Sequence, residues 1–277
     1  MRCLWQRNFH TAVRDEKKHL LAETVYQDSG REVATRLLVD SRTFRILDAT
    51  LERPGHDGEA SMLVPGLHGK EAYLGVGREL REALAGVNDP LALELFAETV
   101  RGVVQAETFL YRERGFGSAV EYGRHWDKMY LQACRYYSNL ERVTRRWEEY
   151  LVQERKEGYL FLRYKTYLLY QEAAAKYLVL GSFNDTFHEM NVSLRSDGQI
   201  VACNGDMLRV PDAVCLESTE FLSCLLGADP LAFPSKKGVA GMLGGSQGCI
   251  HLVDLVSESW QTLQQFLSAT DKLSAGG

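Results

Sequence analysis

The chain has 277 residues, 45% of them hydrophobic and 25% charged, enough to bury one large core or two modest ones. A net charge of −5 gives no electrostatic reason to expect nucleic acid or an anionic membrane surface, and no apolar run reaches the length of a membrane span. The segment Met1–Arg7 lacks the apolar core of a signal peptide, and the 6 scattered cysteines do not form the framework of a small secreted domain, so a reducing cytoplasm is the expected compartment.

Residues 1–22 are mixed and charged and read as an N-terminal arm. From Thr24 the pattern turns to strands: Val33, Thr35, Leu37 and Val39 alternate with polar neighbours, Asp40-Ser41-Arg42 makes a turn, and Phe44–Leu47 begins the return. Arg53-Pro54-Gly55 and His56-Asp57-Gly58 break that strand, and helices are expected over roughly 77–85 and 90–112. Residues 23–112 therefore form one α+β segment.

Residues 113–180 hold most of the 13 tyrosines and are more basic than the rest. Trp126, Tyr130, Ala133, Tyr137, Leu140, Thr144, Trp147 and Leu151 step by fours and threes, a helical seam. Lys156-Glu157-Gly158 is the expected turn, and Leu160, Tyr164, Leu168, Ala175 and Leu178 make a second stripe. This predicts a long helical hairpin whose aromatic face either binds a protein partner or a second copy, or packs only on itself and the flanking domains.

The first order of elements then recurs. Phe187–Leu194 alternates as a strand, Ser196-Asp197-Gly198 turns it, Gln199–Cys203 returns, Pro211 breaks the chain, and a helix is expected over roughly 213–226. At an offset of 157 residues the halves share Asp28/Asp185, Glu32/Glu189, Leu37/Leu194, Asp40/Asp197, Leu51/Leu208, Pro54/Pro211 and Leu95/Leu252. Residues 181–270 thus read as a second copy of 23–112, with 271–277 a tail.

Chemistry concentrates in the second copy. Gly244-Gly245-Ser246-Gln247-Gly248 delivers Cys249, and then His251, into the first turn of an amphipathic helix, where unpaired N–H groups favour a thiolate. Asp254 stands near enough along that helix to orient the imidazole. His188 shares strand parity with the apolar Met190, Val192 and Leu194, whereas Glu189 points with Asn191 and Ser193. Each cysteine taken alone reads as a small buried hydrophobe rather than a ligand, and Cys203 and Cys224 are left as core.

The C-terminal half resembles a family catalogued as domain of unknown function 2889, through His188-Glu189-Met190, Pro211 then Cys215, Leu226-Gly227 and Gly248-Cys249-Ile250-His251-Leu252. A looser resemblance is to the NifU/IscU iron–sulfur scaffold fold, in which Cys215 looks like the middle scaffold cysteine and Cys249 with His251 like the late pair; the first scaffold cysteine has no counterpart. The resemblance implies two pseudo-symmetric α+β domains, each an antiparallel sheet with helices on one face, joined by the helical hairpin. Cys215, Cys249, His251 and His188 then form a set suited to zinc or to iron or an iron–sulfur cluster. The expected function is a cytoplasmic metal-binding scaffold, carrier or assembly partner. Alternatives are an enzyme using metal-bound water or the Cys249 thiolate, and an interaction protein with a relic site. The N-terminal copy, with Arg31, Gly58, Ala92 and Glu94 at the four positions, should hold no metal.

Overall fold

Where hydrophobic residues alternate, the chain extends, and in the computed structural model it does so far more often than the sequence suggests. Residues 1–54, 61–151, 158–232 and 235–275 are described. The strands are β1 (Arg2–Asp15), β2 (His19–Asp28), β3 (Glu32–Asp40), β4 (Ile46–Glu52), β5 (Ser61–Leu63), β6 (Gly158–Ala173), β7 (Lys176–Asp185), β8 (Glu189–Asp197) and β9 (Ile200–Arg209). The helices are α1 (Gly77–Ala83), α2 (Ala92–Ala106), α3 (Ala119–Met129), α4 (Arg135–Ser138), α5 (Ser235–Met242) and α6 (Ile250–Ala275), with a long 3-10 stretch over Ala213–Leu225.

This corrects the expected fold. The strands belong to one antiparallel sheet of nine, in the order β5-β4-β3-β2-β1-β6-β7-β8-β9, not to two NifU/IscU-like domains. The long helical hairpin is also absent among the described residues. Its second stripe is β6 and the start of β7, and its first breaks after α3 at Gln132, which is left-handed at φ 61°, and at Cys134, which is extended. Trp126 stacks on Tyr130 at 4.6 Å and Tyr130 on Tyr137 at 5.4 Å, so the aromatic residues fold into a local stack. Trp126 and Trp147, assigned to a docking face, are 3% and 6% exposed. The N-terminal arm is β1 and the opening of β2. The turn residues Gly55–Gly58 and Lys156-Glu157 lie outside the described residues.

The charge pattern explains the misreading of β6. Its buried side carries Phe161, Arg163, Lys165, Tyr167 and Leu169, so two cations interrupt what would otherwise be an apolar alternation.

The chain divides into two compact units, one of residues 8–125 and 147–164, the other of 1–7, 126–146 and 165–277. In the first, α2 covers β2 and β3. The contact contains a buried hydroxyl chain, with Thr99 Oγ1 2.8 Å from both Thr24 Oγ1 and Thr35 Oγ1. In the second, α6 covers β7 and β8. There Gly181 presents no side chain to the helix: a Cβ on it would stand 2.4 Å from Ser259 Oγ and 3.1 Å from Leu255 Cδ1. The bounds of β2 and β3, advanced by 157 residues, are the bounds of β7 and β8.

The Gly181 contact predicts that Gly181→Ala lowers stability by about 1–3 kcal/mol through forced displacement of α6. A denaturant midpoint unchanged from the native chain would refute it.

Candidate metal centre

The site begins with a turn. β7 ends at Asp185 and β8 starts at Glu189, and Asp185 closes the connection by donating its N–H to the His188 carbonyl at 2.7 Å. Its carboxylate Oδ1 accepts the Phe187 and His188 N–H groups, each at 2.8 Å, an Asx-type turn that fixes both the backbone and the acid. Arg209 on β9 ties down the same turn from outside, donating to the Asp185 carbonyl and to Asn184 Oδ1, each at 2.7 Å.

That turn aims His188 at its own cap. His188 Nδ1 lies 3.1 Å from Asp185 Oδ1, and both residues are buried, at 6% and 3% exposure. Nδ1 and Oδ1 share one hydrogen bond, and a cation held by both atoms would take the place of its proton. The first turn of α6 brings His251 over this ring, with centroids 3.9 Å apart and planes tilted by 34°. Phe183 walls the pair, 5.5 Å from His251 and 6.4 Å from His188. Ligand atoms of Asp185, His188 and His251 lie within 4.8 Å of one another, the one such grouping of three among the described residues. Two ligand atoms on a tetrahedral zinc stand roughly 3.4 Å apart, so small side-chain adjustments bring this set to bonding distance.

Of the four residues singled out from sequence, the structure brings His188 and His251 together. Cys215 and Cys249 stand outside that group of three. Cys215 lies in a small apolar cluster with Tyr136 and Val214, against which Cys134 packs. All 6 cysteines are free thiols. Burial pushes Cys215 and Cys249 up to about 12, although Cys249 accepts hydrogen bonds from the Leu252 and His251 N–H groups at the helix start, so neither is a thiolate at neutral pH. The glycine turn before Cys249 is sterically required: a Cβ at Gly248 would lie 1.9 Å from the Leu243 carbonyl oxygen. Asp254 does not join the group of three, and Lys236 Nζ pairs with its carboxylate.

Asp185 is the member that sequence reading missed. The available signal was Asp-x-x-His across a strand-to-strand turn, at a position already matched to Asp28. The β2–β3 connection has the same turn: Asp28 N–H donates to the Arg31 carbonyl at 3.0 Å, and Asp28 Oδ1 accepts from Gly30 and Arg31 at 2.7 and 2.9 Å. There Arg31 occupies the place of His188 and lies 3.8 Å from the Asp28 carboxylate.

Residues 171–265 match the model of a family described as Protein of unknown function (DUF2889). That span contains Asp185, His188, Cys215, Cys249 and His251. Searches of curated proteins and of solved structures each return no significant match. No described helix is long and apolar enough to cross a membrane.

The segment bearing Cys215 hangs on a second buried aspartate. Asp212 caps the 3-10 stretch through the Val214 N–H at 3.0 Å and also accepts from Thr144 N, Thr144 Oγ1 and Arg145 N at 2.9, 2.8 and 3.0 Å. Burial alone would push its carboxyl up, but the four hydrogen bonds outweigh it and hold the carboxyl below the ordinary aspartate range. Its contribution is therefore complete above the unfolded pKa of about 3.9 and is lost as pH falls through the lower folded value. Asp212→Asn should cost about 1–3 kcal/mol at neutral pH and flatten the acid limb of the stability profile; a variant with the native acid limb would refute this.

Proposed function

We propose that this is a metal-binding protein that holds one divalent ion, Zn2+ or Fe2+, through His188, His251 and Asp185. The observation that carries the reading is the convergence of two imidazoles and a carboxylate at a turn that its own backbone hydrogen bonds hold in shape. Two histidines and one carboxylate suit zinc or ferrous iron and leave at least one coordination position open. An open position suits a protein that passes an ion on or activates a bound water better than one that uses metal only to fold. The role of scaffold, carrier or assembly partner belongs to this reading. An iron–sulfur cluster fits less well, because the cysteines that would ligate it are not in the group that the two histidines form with Asp185.

The two series of elements are read as copies of one ancestral unit. Support comes from the shared 157-residue offset of β2/β7 and β3/β8 and from the repeated aspartate-capped turn. In the N-terminal copy Arg31 and Glu94 replace the two histidines, and a guanidinium cannot coordinate a cation, so that copy binds no metal.

Calorimetric titration of anaerobic protein with Zn2+ and with Fe2+ tests the proposal. Binding should be one-to-one, release protons and raise the melting temperature by mass action. His188→Ala and His251→Ala should each weaken binding by at least about 100-fold. Glu189→Gln should leave it unchanged. If binding survives both histidine changes but is lost in Cys215→Ser and Cys249→Ser, the ion belongs to the thiols and this assignment fails. Absence of binding by either metal also overturns it.

A further inference from the structure

The face of β7–β9 opposite α6 carries a depression of about 420 Å3, within the size range of small-molecule sites. Two cross-strand rows line it, Leu180–Ser193–Asn204 and Ser182–Asn191–Asp206. The side chains of Ser182, Asn191, Ser193, Asn204 and Asp206 have no hydrogen-bond partner among the described residues. Five groups able to bond a ligand therefore converge on one hollow, none of them engaged by another side chain.

The other unit shows that this hollow is a property of particular residues. Its matching rows are Glu23–Arg36–Thr50 and Val25–Ala34–Glu52, in the same register. There Arg36 lies across the face and pairs with Glu23 at 3.0 Å and with Glu52 at 2.9 Å. Ser193 stands where Arg36 stands and Leu180 where Glu23 does, so the ion ladder is missing and the face is open.

From these rows we infer that the β7–β9 face binds a small saccharide. Hydroxyls and primary amides both donate and accept, which matches the alternating donors and acceptors of vicinal diols. Asp206 accepts only and suits a sugar hydroxyl. No cation is among the described residues that line the hollow, which argues against phosphorylated or carboxylated ligands. The site is open to water, so each bond replaces a bond to solvent and affinities around millimolar are expected. This inference is independent of the metal reading, since the triad lies on the helix-covered face.

The test is an NMR titration of the metal-free protein with glucose, N-acetylglucosamine and maltose, following the side-chain amides of Asn191 and Asn204. Saturable shifts at both amides with at least one sugar are expected. Ser193→Arg, which rebuilds the arrangement of the other unit, should abolish them with its melting temperature retained. Asn191→Ala, which adds no bulk, should weaken binding by about tenfold, the loss of one hydrogen bond of about 1.4 kcal/mol. Three outcomes each overturn the inference: no saturable shift with any sugar, shifts that persist in Ser193→Arg, or saturation by spermidine alone.

Discussion

A charge buried in a helix has to find a partner, and α6 buries two, Asp254 and Glu258, along a stretch whose Ser257 and Ser259 hydroxyls have none among the described residues. From Leu252 to Trp260 every residue is buried, yet the run includes Asp254, Ser257, Glu258 and Ser259. Glu258 is matched by Lys165 Nζ at 2.8 Å and by the Tyr167 hydroxyl at 2.7 Å. One turn on, Arg7 Nη1 donates to Thr262 Oγ1 at 3.1 Å, and Trp260 Nε1 donates to the Pro230 carbonyl at 2.8 Å. Burial, and then the Glu258 charge, hold the Tyr167 hydroxyl well above its ordinary range, so it stays a donor. Such a buried pair adds little net stability over an apolar pair, but losing one partner strands a charge and costs several kcal/mol, about 3–5. The pairing thereby fixes the rotation and register of α6, and with them the direction in which His251 points.

Strand alternation then separates the two chemistries of β7 and β8. Phe183, Asp185, His188 and Met190 serve the side covered by α6, where water is scarce and a hydrogen-bonded acid can orient an imidazole. Ser182, Asn191 and Ser193 serve the other side, where small polar groups remain accessible. A one-residue slip of either strand would exchange the two sets, so the Asp185 turn that sets the register protects both.

Much of this was legible in the sequence, and what was not has a physical cause. Strands β3, β8 and β9, helices α1 and α2, and the start of α6 follow from alternation, turn chemistry and helical period, because their buried faces are apolar. His188 was placed on the covered face by parity alone. β6 was lost because Arg163 and Lys165 occupy buried positions, their charges neutralised by Glu98 at 3.0 Å and Glu258 at 2.8 Å from distant parts of the sequence. The aromatic seam misled in the opposite direction: Trp126, Tyr130 and Tyr137 keep helical spacing but stack across a non-helical turn. Asp185 went unassigned because Asp-x-x-His becomes a signal only once the turn around it is recognised, and the backbone N–H groups that hold the carboxylate carry no signature of their own.

The aspartate-capped turn occurs twice with different occupants, and this makes the molecule its own reference. At Asp28 the side chain beside the cap is an arginine, whose charge is permanent across the whole accessible pH range. At Asp185 it is a histidine, which can lose its proton and offer a lone pair. A perturbation that reaches both turns is acting on backbone and fold. One that reaches only the second is acting on a proton or an ion, and the comparison needs no second protein.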